Sequence, residues 1–175
     1  MENSIKSNAI NHGLYLGGTL ALITIAIWFI DLNLMGSMML GISLILLRIV
    51  FGVVSTSKAK SIQGGLISFK EAFTSYFITI VIGFAIASIV SVLLFNYIDP
   101  EAAKQIQQIT IDATVKTMEG FGAPLESIAE TVEQMENQNQ FSIGNVLKGL
   151  AFVYVFQAIY GLIVALIMKK TDPDA

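Results

Sequence analysis

The sequence predicts an all-α fold: one membrane domain over 1–175 with four transmembrane helices and an extramembrane amphipathic helical hairpin between helices 3 and 4. Three observations predict it. The stretches 13–30, 32–47, 72–98 and 149–168 contain no charged residue. Hydrophobic residues make up 54% of the chain and charged ones only 13%, with a mean hydropathy of +0.71, against about 25% charged in a soluble domain. The acids are concentrated in one place: 98–147 holds eight of them against two lysines, a local charge of −6. A soluble globular enzyme and a disordered tail are both excluded by that distribution. The net charge of −3 argues against a nucleic-acid partner.

Each apolar stretch is close to the roughly 20 residues needed to cross about 30 Å of hydrocarbon at about 1.5 Å per residue. The spans are placed at 12–31, 34–54, 70–97 and 145–168. No proline interrupts them, so each satisfies its backbone hydrogen bonds internally. Span one is longer than the apolar core of a signal peptide. It is followed by Asp31-Leu32-Asn33-Leu34-Met35 rather than a small-residue cleavage site, so it is expected to be retained.

Span two passes into 55–65, where serines, lysines and the pair Gly64-Gly65 read as loop chemistry. Ser68-Phe69-Lys70-Glu71 then fits a capping box that starts span three. Asp99-Pro100-Glu101 is a second start signal. From there Ala102, Ile106, Ile109 and Ala113 recur at helical spacing, widened by Ile111, Val115 and Met118. Gly120-Phe121-Gly122 breaks the run and Pro124 restarts it. Leu125, Ile128, Ala129, Val132 and Met135 form a second stripe opposite Glu126, Glu130, Glu133 and Glu136. The pair reads as an αα-hairpin over 98–142 whose stripes pack on each other or on a partner. Ser142 caps the helix that becomes span four.

Lysine placement sets the expected orientation. Lys6 precedes span one, Lys58, Lys60 and Lys70 lie between spans two and three, and Lys169 and Lys170 follow span four. By the positive-inside rule both termini and the 55–69 loop face the cytoplasm, and the acidic segment faces the other side.

No cysteine and a single histidine leave no thiolate, disulfide or zinc constellation. The acids of 98–147 do not follow calcium-loop spacing. No catalytic, cofactor-binding or metal-ligating residues are expected, and the protein is read as not an enzyme. His12, at the start of span one, reads as passive rather than as a pH sensor. The polar residues inside the spans are the remaining candidates, chiefly Arg48 and Gln157. Arg48 lies about 9 Å by helical rise from Val54, so the leading reading is snorkelling toward cytoplasmic headgroups, ahead of a bond to another helix and of transport chemistry. Gln157 reads as interhelical glue. Small residues at four-residue spacing, Gly13 and Gly17, Gly83 and Ala87, Gly161 and Ala165, permit close helix contacts within the bundle or between copies. Trp28, Tyr15, Tyr97 and Tyr154 are assigned as interfacial anchors.

The order of these features resembles a known family. Gly64-Gly65-Leu66-Ile67-Ser68-Phe69-Lys70-Glu71-Ala72-Phe73 enters span three, Tyr97-Ile98-Asp99-Pro100-Glu101 closes it, and a long acidic helical segment precedes the last span. The chain resembles the bacterial integral membrane family called domain of unknown function 4199, inner-membrane proteins found mostly in Bacteroidetes-type bacteria. The resemblance covers nearly the whole chain. It implies an inner-membrane location and this topology, and carries no activity or site residues. The expected role is a structural or protein-interaction module, with the lipid bilayer, a protein partner at 98–142 and a second copy of the chain as partners. The alternative is a small oligomeric transporter or channel subunit using Arg48 and Gln157.

Overall fold

A computed structural model describes residues 2–170, the side chain of residue 2 excepted. The expected domain runs past both limits; residues 1 and 171–175 lie outside the described residues. The order is α1 (Glu2–Ile30), a 3₁₀ turn (Leu32–Gly36), α2 (Met38–Ile62), α3 (Phe69–Leu93), a π turn (Leu94–Ile98), α4 (Pro100–Gly120), α5 (Leu125–Glu136) and α6 (Ile143–Met168). The described residues form no named strand, and the fold is all-α. α1, α2, α3 with its π turn, and α6 are each long and apolar enough to cross a bilayer. Leu22, Met39, Ile89 and Ile167 on their outer faces are all exposed. Large apolar side chains exposed on four helices of that length belong against lipid. The chain is a multi-pass membrane protein.

The four spans alternate in direction, and α3 packs against the other three. α1 and α3 run parallel: the Thr79 hydroxyl reaches the Ala9 carbonyl, and Trp28 reaches Asp99 at the far end. α2 and α6 run the opposite way, with Ser55 beside Ser75 and Gln157 beside Tyr76. One end of the bundle therefore carries Lys58, Lys60, Lys70 and Lys169, and the other carries the acidic hairpin.

Several boundaries differ from the sequence reading. α1 begins at Glu2 rather than at 12, because Ile5 and Ala9 are buried and bring the polar N-terminal turns into the bundle. α2 begins at Met38, since 34–36 lie in the 3₁₀ turn, and it continues to Ile62 through the stretch read as loop. Ser55, Thr56 and Ala59 are fully buried there. A hydroxyl that bonds a carbonyl one turn back is compatible with a helix, and Thr56 does so to Gly52 at 2.9 Å. The helix stops where Gly64 adopts φ 73°, with the Gly65 N–H bonding the Lys60 carbonyl at 2.9 Å. The capping box forms as read: the Ser68 N–H donates to Glu71 Oε2 at 2.9 Å, and the Glu71 N–H to Ser68 Oγ at 3.3 Å. Span three ends in a π turn, where the Asp99 N–H bonds the Leu94 carbonyl at 2.8 Å.

The hairpin stripes pack differently from the expectation. Ala102 and Ile106 of α4 are buried with Leu94 and Phe95, beside Trp28, Leu32 and Met35. Ile109 lies over Gly36, where an added Cβ would come within 2.7 Å of it. The α4 stripe is thus covered by the end of the chain's own bundle. α5 contributes one buried residue, Ile128, whereas Leu125 and Ala129 are exposed. The Gln107 amide donates to the Met135 carbonyl at 2.6 Å and ties the end of α5 to α4.

Candidate functional site

The interior of the bundle begins with its glycines. A Cβ at Gly13 would lie 2.8 Å from Ile82 Cβ, and one at Gly17 would lie 2.7 Å from Ile86 Cβ. At Gly83 it would meet Leu16, and at Gly161 it would meet Tyr76 at 2.9 Å. These four positions are occupied by contacts inside the bundle, three of them along the α1–α3 seam. Ala165 is fully buried with Ala59, Ile67 and Ala72 at the lysine end, and Ala87 packs beside the cluster of Leu16, Leu20 and Ile80.

Close approach brings polar groups from three helices together. Asn8 Nδ2 donates to the Ser55 carbonyl at 2.9 Å. Ser55 Oγ lies 3.2 Å from Ser75 Oγ and 2.8 Å from Thr79 Oγ1. Thr79 Oγ1 is also 3.1 Å from the Ala9 carbonyl and 2.9 Å from that of Ser75, one proton serving several acceptors. Ser55, Ser75, Thr79 and Thr56 are fully buried. This layer joins α1, α2 and α3, and among the described residues no carboxylate or histidine bonds one of its hydroxyls to activate it. Ser55 and Thr56 lie in the stretch 55–65, which reads as loop in the sequence.

Gln157 is buried on α6 and accepts the phenolic O–H of Tyr76 at 3.0 Å. The Tyr76 ring fits because Gly52 and Gly161 flank it without side chains. Among the described residues Tyr76 is the largest fully buried side chain, and tyrosine in an apolar run carries no sequence signal of inward placement. Tyr154, assigned to a span end, sits mid-helix and donates to the Val81 carbonyl at 3.1 Å. His12 Nδ1 lies 2.9 Å from the Asn8 carbonyl within α1.

Arg48 lies near the middle of α2, about 15 Å by helical rise from Met38 and about 21 Å from Ile62. Its side chain runs toward Leu44, whose carbonyl accepts from Nε at 2.6 Å, rather than toward Val54. Helical side chains lean toward the N-terminus of their helix, which turns this one to the hairpin end instead of the lysine end. The guanidinium carbon lies 4.8 Å from the centre of the Phe84 ring, a cation–π contact. A half-open cavity of about 150 Å³ adjoins it, walled by Leu20, Thr24, Ile27, Met35 and Ala87 among others. A larger groove of about 750 Å³ separates α4 from the start of α2, and Met35 lines this groove too.

At the lysine end, Lys60 Nζ donates to the Met168 carbonyl at 2.9 Å and closes the last turn of α6. Ile67 and Lys170 exchange two backbone hydrogen bonds of 2.9 Å. Among the described residues no cluster of three or more histidine or acidic side chains could hold a metal ion.

No curated protein and no solved structure matches the chain. The sequence model of a family described as "Protein of unknown function (DUF4199)" matches residues 11–170. That match takes in span one from residue 11 onward, the other three spans, the polar layer except for Asn8 and Ala9, and the hairpin, so the chain belongs to the DUF4199 family of proteins of unknown function.

Proposed function

We propose that this protein is an integral inner-membrane interaction module that presents its helical hairpin to a protein partner on the periplasmic side. The observation that carries the reading is the division of labour between α4 and α5. α4 is fixed to the bundle through Ala102, Ile106 and Ile109, while the turn beyond it leaves Phe121 87% exposed and the start of α5 leaves Leu125 81% exposed. Next to them α5 carries Glu126, Glu130, Glu133 and Glu136. Two exposed anchors on a rigid arm, surrounded by acids, suit a partner with an apolar pocket and a basic rim. The collection of lysines at the opposite end supports a cytoplasmic placement for that end.

A photo-crosslinking side chain placed at Phe121 in growing cells tests this. The expected result is one discrete protein adduct that disappears when Glu126, Glu130 and Glu133 are changed to lysine. Adducts to lipid alone, or an adduct indifferent to the charge reversal, count against it. The transporter reading retains one specific observation, the mid-helix Arg48 beside its cavity. Gln157 contributes less to it, since its carbonyl is engaged by Tyr76.

A further inference from the structure

Arg48 has more donors than its surroundings satisfy. A guanidinium carries five N–H groups. Nε uses one on the Leu44 carbonyl, and the Phe84 face offsets part of the charge. The two terminal nitrogens form no hydrogen bond among the described residues. A charge at mid-span is costly unless it is paired, and an intramembrane charge is by default a candidate functional site.

The counter-charge is not in the spans. Among the described side chains of the four spanning helices the one acid is Glu71, and its carboxylate is bonded to Ser68 at the lysine end. Phe84 is 13 residues further along the helix, about 20 Å by rise. A second copy of the chain has the same deficit, so pairing spans against spans brings no carboxylate to Arg48. The terminal nitrogens of this guanidinium are therefore open to a ligand from outside the bundle.

The walls define what kind of ligand. Apart from Arg48 they are apolar but for Thr24, whose hydroxyl already donates to the Leu20 carbonyl at 3.0 Å. An inorganic anion would lose its hydration there and regain one charged partner. A carboxylate on an alkyl chain meets both halves of the site, the head on the guanidinium and the chain on the leucines and isoleucines. The volume of about 150 Å³ equals that of roughly five waters at about 30 Å³ each, room for the head and the first methylenes. The rest of the chain runs out into the bilayer.

We propose that Arg48 and its cavity bind the carboxylate of a long-chain fatty acid within the membrane. Trp28, the single tryptophan, follows the cavity residue Ile27 in sequence and packs in one cluster with Met35, so its fluorescence reports occupancy. The full chain is placed in bilayers of zwitterionic phospholipid at about pH 9, well above the carboxylate range. It is titrated with a brominated fatty acid, and separately with the brominated alcohol of equal length. The acid should quench Trp28 in a saturable phase that the alcohol lacks, and Arg48→Gln should weaken that phase at least about tenfold. Ala87→Leu, which fills the cavity and leaves the charge in place, should remove it as well, and serves if Arg48→Gln does not fold. Equal quenching by acid and alcohol overturns the proposal, as does a saturable phase that survives either substitution. Full competition by inorganic phosphate also overturns it, because the site would then bind small anions.

Discussion

The indole N–H of Trp28 donates to Asp99 Oδ2 at 2.9 Å, while Asp99 Oδ1 accepts the Ala102 N–H at 3.0 Å. One carboxylate therefore caps α4 and anchors it to the end of α1. These bonds hold the Asp99 carboxyl below its ordinary value of 3.8, the Ala102 bond contributing most and Trp28 next. A depressed folded value means that the unfolded chain takes up the proton first as pH falls. The anchoring is fully present above the ordinary carboxylate value and is lost as pH drops through the lower folded one. Trp28 emission should stay constant from neutral pH to about 4 and shift below it. Asp99→Asn should abolish the shift; identical pH curves for the two proteins would contradict the assignment.

The α1–α3 seam predicts a contrast between adjacent glycines. Gly17→Val drives a side chain into Ile86 and should destabilise by about 1–3 kcal/mol. Gly18 has open space around its Cβ direction, so Gly18→Ala should be neutral or stabilising by up to about 1 kcal/mol. Thermal unfolding in detergent measures both, and equal effects would mean that the seam is not closely packed.

Tyr76→Phe leaves the buried Gln157 Oε1 without its donor and should cost about 0.6–1.7 kcal/mol, the range of interhelical bonds inside membranes. Gln157→Leu in the Tyr76→Phe background should cost less than it does in the wild type. Additive losses in this double-mutant cycle would show that the two residues do not interact.

Orientation is open to direct measurement because the chain has no cysteine. Lys58→Cys and Glu130→Cys each place one thiol at an exposed position, at opposite ends of the bundle. An impermeant maleimide added to intact spheroplasts should label the Glu130 variant and spare the Lys58 variant. The reverse pattern would invert the proposed topology.

Much of the architecture is determined locally, which is why it is readable from the sequence. Uncharged runs of span length, Ser68 with Glu71, Asp99 with Pro100, and Ser142 ahead of α6 act over a few residues, and the structure uses each of them. What depends on distant partners was not readable. The serines and lysines of 55–62 have loop composition, yet they are helical because α1 and α3 supply Asn8, Ser75 and Thr79 as partners. The hairpin stripe is plain in the sequence, but its cover, the turn at Leu32–Gly36, is some 70 residues away. Arg48 shows the same limit most clearly. The sequence by itself determined that a charge lies inside a span; only the tertiary structure decided that its side chain turns toward Leu44, rests on Phe84 and meets a cavity. Hydropathy and capping are properties of neighbours along the chain, whereas the partner of a buried polar group is set by which helices meet and at what height.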